Sequence, residues 1–170
     1  MTPSVPFEQV TGSPLERLES VGGRVTNLYR LLANHPEILD AWVAFAWSLR
    51  RQAETSRAMR ELMILRSAQV HGASLQLHDH TLMALAAGAS EDQIAELEDW
   101  RSSASFDPPT LCALALTEEM IRGRVEDTTL DELAEHFGPA ERIELIVTAG
   151  FYCMVPRVLD ALRLEAPEGS

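Results

Sequence analysis

The residues of this chain best placed to do chemistry are a glutamate on one apolar helical stripe and a glutamine–histidine pair on another. Glu61 stands in line with Leu65 and Ala68. Gln76 and His80 are four residues apart, so they share a face that continues through Ala84 and Ala87. Their run, from about Ser74 to Ala87, is otherwise mostly apolar, with Leu75, Leu77, Leu82, Met83 and Leu85. A helix apolar on most faces is expected to be buried, and buried polar groups need partners. Glu61, Gln76 and His80 are therefore expected to partner one another. A carboxylate hydrogen-bonded to an imidazole is a proton-transfer pair. A plainer arrangement uses the same residues: Glu61 pairs with Arg57 one turn back, and His80 is a satisfied core histidine. Spacing leaves both open.

His71 and His78-Asp79-His80 invite a metal reading. Helical residues two apart point about 200° apart, so His78 and His80 cannot easily face one ion, and no metal site is expected. All 14 basic residues are arginine. Without lysine there is no Schiff base, no covalent pyridoxal phosphate and no P-loop, and no GxGxxG occurs. A net charge of −12 without a basic stripe disfavours nucleic acid. Cys112 and Cys153 form no CxxC and read as buried apolar side chains, a disulfide between them being the other reading. No apolar run approaches the roughly 20 residues that span a bilayer. Met1 to Val10 has neither a basic nor an apolar leader region, so no membrane partner and a cytoplasmic location are expected.

A chain of 170 residues suits one domain. Residues 1–20 read as an arm, and 21–170 as a helical domain. Helices are expected over Val25–Ala33, from Pro36 to Arg51, and from the N-cap Ser56 to His71, where Gly72 interrupts. Others run from Ser74 to Ala87, from Ser90, from Pro108 or Pro109 to Arg122, and from Asp127 or Thr128 to Phe137. A long one extends from Pro139 to Leu164, with Pro156 inside it. No period-2 strand is evident, so the fold class is all-α. A faint echo, Arg60-Glu61-Leu62 against Arg142-Ile143-Glu144-Leu145, suggests a duplicated helical unit.

Several of these blocks, in order, resemble the carboxymuconolactone decarboxylase and alkylhydroperoxidase (AhpD-like) family. They are Arg60-Glu61-Leu62 through Ala68, His71 to His80, Ala84 to Ser90, and Gly150-Phe151-Tyr152-Cys153-Met154 with Arg157. The resemblance implies an AhpD-like orthogonal helical bundle that assembles as a trimer or hexamer. The family's peroxidase branch carries Cys-x-x-Cys-x-x-x-His, with a glutamate twelve residues before the first cysteine. Here the cysteine positions hold Ala73 and Gln76, while Glu61 and His80 match. Without the thiols no peroxidatic nucleophile exists. The non-thiol branch implies acid–base chemistry, although its members often have glutamate at Gln76 and aromatics near Leu75 and Leu77.

The expected function is a cofactor-free acid–base enzyme, a decarboxylase, lyase or isomerase, acting on a lactone or an unsaturated keto or carboxylic acid. His80 is the expected acid–base and Glu61 holds its tautomer, while Gln76 bonds the carbonyl or enolate oxygen. Arg66 and Arg157 are candidates for an anionic substrate group. Trp42, Trp47 and Tyr152 are candidates for pocket walls, with core packing as the alternative. The competing reading is a non-catalytic small-molecule-binding or structural member of the fold.

Overall fold

The computed structural model describes residues 2–51 and 53–164. Among these residues the chain forms nine α-helices and no strand, the all-α architecture expected. They are α1 (Ser13–Ser20), α2 (Asn27–Leu32), α3 (Pro36–Arg51), α4 (Arg57–His71), α5 (Ser74–Ala86), α6 (Glu91–Ala95), α7 (Pro108–Arg122), α8 (Asp127–His136) and α9 (Pro139–Ala161). No helix among the described residues is long and apolar enough to cross a membrane.

The helix ends follow local chemistry. The Ser56 hydroxyl accepts from Met59 N–H, Asp107 accepts from Thr110 N–H, and Ser90 forms a reciprocal capping box with Gln93. Gly72 closes α4 in the left-handed conformation (φ 65), which other residues adopt at a cost. That turn sends the chain directly into α5. α9 stops short of Leu164 because Arg163 is left-handed (φ 57) and Leu164 N–H returns to the Leu159 carbonyl.

The described residues form two compact units, one of residues up to Ala53 with the stretch from Val158, the other of Glu54–Arg157. In the first, the stretch read as an arm is partly helical: α1 packs on α3 and buries Leu18. Glu8 N–H bonds the Arg30 carbonyl at 2.9 Å, and the Asn34 amide bonds the Pro6 carbonyl at 2.7 Å. Gly23 is required here by space, since a Cβ would stand 2.4 Å from Leu18 Cδ1 and 2.8 Å from Trp47 Cζ2.

In the second unit α4 packs against α5 and α7. Met59 and Met63 join Cys112, Leu116, Leu133 and Leu145 in one cluster, and Leu62 and Leu65 join Ala84, Leu97, Trp100 and Leu114 in another. Each such fully buried side chain contributes about 1.5–3 kcal/mol. α5 departs from the expectation of all-round burial. Its buried residues are Gln76, His80 and Ala84, whereas Leu82 and Leu85 are 61% and 40% exposed. The polar stripe faces inward and much of the apolar side faces out.

A second polar knot lies on α7. Glu118 Oε1 accepts from Arg66 at 2.8 Å and from Trp100 Nε1 at 2.9 Å; Oε2 accepts from Arg101 at 2.8 Å and Arg122 at 2.9 Å. Burial pushes this carboxyl up, but Arg101, Trp100 and Arg66 outweigh it and hold it at about 2, against an ordinary 4.5. The folded state thus releases this proton more readily than the unfolded chain. Its stabilisation is complete above the unfolded value and is lost as pH falls from about 4.5 towards about 2. Glu118→Gln is expected to cost about 3 kcal/mol at pH 7 by urea unfolding. The gap from wild type should narrow across that acidic window; a pH-independent gap would contradict the assignment.

Candidate active site

Glu61 has no exposed surface, and its two oxygens are divided between two partners. Oε1 accepts from Arg57 Nε at 2.6 Å, one turn back on α4. Oε2 lies 2.6 Å from His80 Nδ1 on α5. Glu61 thus takes one partner from each arrangement left open by spacing, Arg57 from one and His80 from the other. Burial raises the Glu61 carboxyl, but the hydrogen bond and charge of His80, with Arg57, outweigh it and hold the group below the usual carboxylate range. An ionised carboxylate only accepts, so Nδ1 carries hydrogen and donates. In the neutral ring the lone pair is then on Nε2. Among the described residues no hydrogen bond reaches Nε2.

Gln76 lies one turn before His80 on the same stripe, but it does not join the pair. Its Nε2 donates to the Ile64 carbonyl of α4 at 3.4 Å, and its buried Oε1 has no partner among the described residues. A buried acceptor left in this state costs about 1–3 kcal/mol. The donor role expected of Gln76 towards an oxyanion is not the one its orientation offers: the amide N–H₂ faces Ile64.

The rings of Tyr152 on α9 and His80 meet in a T-shaped contact, with centroids 5.3 Å apart and planes at 86°. Its backbone is held by an arrangement that begins with Pro156. Proline has no N–H, so the Tyr152 carbonyl four residues earlier loses its helical donor. The fully buried Ser67 hydroxyl of α4 supplies one at 2.7 Å. Ser67 also accepts through its own carbonyl from His71 Nδ1 at 2.8 Å.

Beside Glu61 lies Arg60, a buried arginine absent from the residues picked out by spacing. Its Nη1 donates to the Thr55 carbonyl and, at 2.8 Å, to the Thr55 hydroxyl. Glu144 of α9 takes the N–H groups of Glu54 and Thr55 at 2.8 and 3.0 Å, fixing this turn. Burial lowers the Arg60 pKa, and Arg57 adds to this by charge; Glu144 and Glu61 oppose it.

Other expected site residues fall elsewhere. Arg66 is occupied by Glu118 and, at 2.9 Å, by the Gln69 amide oxygen, the structural ion pair rather than an open anion site. Arg157 is exposed and donates to the Cys153 carbonyl of its own helix. Trp47 packs with Leu18 and Val43 in the first unit's core, under the guanidinium groups of Arg50 and Arg51; Trp42 packs on the same core. His78 and Asp79 are exposed, whereas His80 is buried. Among the described residues no three His, Cys, Asp or Glu side chains converge on a metal-sized site. Both cysteines are free thiols. Burial pushes Cys112 up to about 11, and burial also raises Cys153 despite Arg157, so neither is a ready thiolate at neutral pH.

Residues 36–119 match the model of the carboxymuconolactone decarboxylase family, and the chain belongs to that family. The fold is AhpD-like. A protein of unknown function, ATU0492, from Agrobacterium tumefaciens superposes with a TM-score of 0.71 at 21% identity, over 80% of this chain and 94% of that one. A peroxidase-related protein from Silicibacter sp. TM1040 gives 0.79 at 18% identity, over 98% and 91%. A cysteine-to-alanine variant of the debrominase Bmp8, in complex with 2,3,4-tribromopyrrole, gives 0.82 at 14% identity, over 99% and 94%. At such identities these likenesses speak for the fold alone. No curated protein is similar enough in sequence to count as a relative.

Ser67→Ala should remove the hydroxyl donor from the Tyr152 carbonyl and cost about 1–3 kcal/mol in thermal unfolding. The His80 ring-proton resonances should move with Tyr152. Unchanged His80 resonances in a destabilised variant would show that Ser67 braces the helices without placing the aromatic wall.

Proposed function

We propose that this protein is a cofactor-free acid–base enzyme, a decarboxylase, lyase or isomerase that moves a proton next to a carbonyl or conjugated double bond. The observation that carries the reading is the buried 2.6 Å bond between Glu61 Oε2 and His80 Nδ1. It orients the imidazole and sets its tautomer, so that Nε2 is the nitrogen that exchanges a proton with substrate. In an isomerisation Nε2 takes a proton from one carbon and returns it to another. In a decarboxylation the protonated ring gives its Nε2 proton to the carbon that has lost carbon dioxide, and solvent restores it. Glu61 stays ionised in both and stabilises the imidazolium.

The proposed substrates are small lactones or unsaturated keto or carboxylic acids. Arg57 and Arg60, rather than Arg66 and Arg157, are the cations nearest this pair in sequence and in charge coupling, and they suit an anionic intermediate. The Bmp8 complex supports the idea that this fold can receive a small unsaturated ring. One observation favours the non-catalytic alternative: both Glu61 oxygens are already satisfied, as a purely structural ion pair would require.

Assembly into a trimer or hexamer is proposed with the function, supported by exposed Leu82 and Leu85 on α5. In light scattering, Leu82→Glu with Leu85→Glu should yield a smaller species than wild type.

Two measurements test the chemistry. Nitrogen-15 spectra should show His80 hydrogen on Nδ1 in the wild type and a mixed or reversed tautomer in Glu61→Gln. Turnover of unsaturated lactone acids and keto acids, followed by deuterium incorporation from heavy water, should fall about 10²–10⁴-fold in His80→Gln. Wild-type turnover that survives His80→Gln would remove the acid–base assignment.

A further inference from the structure

The polar stripe of α5 presents two acceptors one turn apart. Gln76 is 3% exposed, and its amide nitrogen is directed at the Ile64 carbonyl. Reversing the amide would set two oxygens against each other, so the atom left over is Oε1, a buried acceptor with no partner among the described residues. In its neutral form His80 donates through Nδ1 to Glu61, which leaves Nε2 as an acceptor. The stripe therefore has nothing to offer an oxyanion at Gln76, and it holds a buried acceptor that lacks a hydrogen.

We propose that the site selects a substrate carrying a hydrogen-bond donor, a hydroxyl or ring N–H, next to the carbon at which His80 acts, and that Gln76 Oε1 is the group that reads it. This rests on the acid–base reading for where the reacting carbon lies; the selection itself concerns binding. A ligand without the donor leaves Oε1 desolvated and unpaired, and sites of this kind discriminate strongly against such analogues. It also gives a physical sense to glutamine at this position. A carboxylate would compete with Glu61 for the imidazole and repel it, whereas an amide accepts a hydrogen bond without bringing a second charge into the site.

The test uses two probes of nearly equal shape, pyrrole-2-carboxylate and furan-2-carboxylate, titrated calorimetrically into the full-length protein. They differ in presenting a ring N–H or a ring oxygen. Wild type is expected to bind the pyrrole acid about tenfold or more tightly, and Gln76→Leu to reduce the preference to about twofold or less. Thermal unfolding of Gln76→Leu should show little net loss of stability, because the leucine removes the unpartnered Oε1 together with the long 3.4 Å bond to the Ile64 carbonyl. Equal affinity for both probes, binding of neither, or a preference unchanged in Gln76→Leu overturns the proposal. So does a marked loss of stability in that variant, which would mean that a buried water already occupies Oε1. Selective binding without turnover of any acid would leave this inference standing and remove the catalytic one. Turnover dependent on His80 without selectivity would do the reverse.

Discussion

An ionised carboxylate with no exposed surface must have both oxygens occupied, and Glu61 meets this with one donor from its own helix and one from the next. Much of the second unit's geometry follows from that requirement. Arg57 must sit one turn earlier on α4, which places it in the first turn after the Ser56 cap. His80 must come back alongside, which requires the chain to reverse after α4, and the left-handed Gly72 provides the reversal. The histidine must be kept from turning away, and the Tyr152 ring closes that side.

The same unit contains a second buried carboxylate, and the contrast between the two is chemically informative. Glu118 is surrounded by three guanidinium groups and an indole, all permanent donors at neutral pH. Such a network has no proton to give and serves only to join α4, α7 and the Trp100 segment. Glu61 has one permanent donor, Arg57, and one imidazole partner that has a second ring nitrogen. Displaced pKa values mark both knots; only the Glu61 knot can pass a proton onward.

The helical class was legible because long apolar periodicities and their caps are local signals: Ser56 and Gly72 mark the ends of α4, and Pro108 and Arg122 those of α7, within a residue. α1 escaped notice because eight residues with two buried side chains carry little periodicity, and their helix is held by α3. The Glu61–His80 pair was legible because a carboxylate and an imidazole on apolar stripes leave few partners for each other. The orientation of Gln76 was not, because it depends on a backbone carbonyl of another helix. Nor was the commitment of Arg66, whose partner lies 52 residues away. For α5, periodicity showed which residues share a face and that the Gln76–His80 face is buried, but not that Leu82 and Leu85 turn outward.

The link between Pro156, the Tyr152 carbonyl and Ser67 makes two distant positions one inherited unit. A serine hydroxyl at 67 is worth most while position 156 cannot donate, and a proline at 156 costs least while 67 can. Restoring an N–H at 156 would give the carbonyl its helical partner and make the hydroxyl dispensable, so the cost of losing Ser67 depends on which residue occupies 156. Among related chains the two positions are therefore expected to change in concert, although nearly 90 residues separate them.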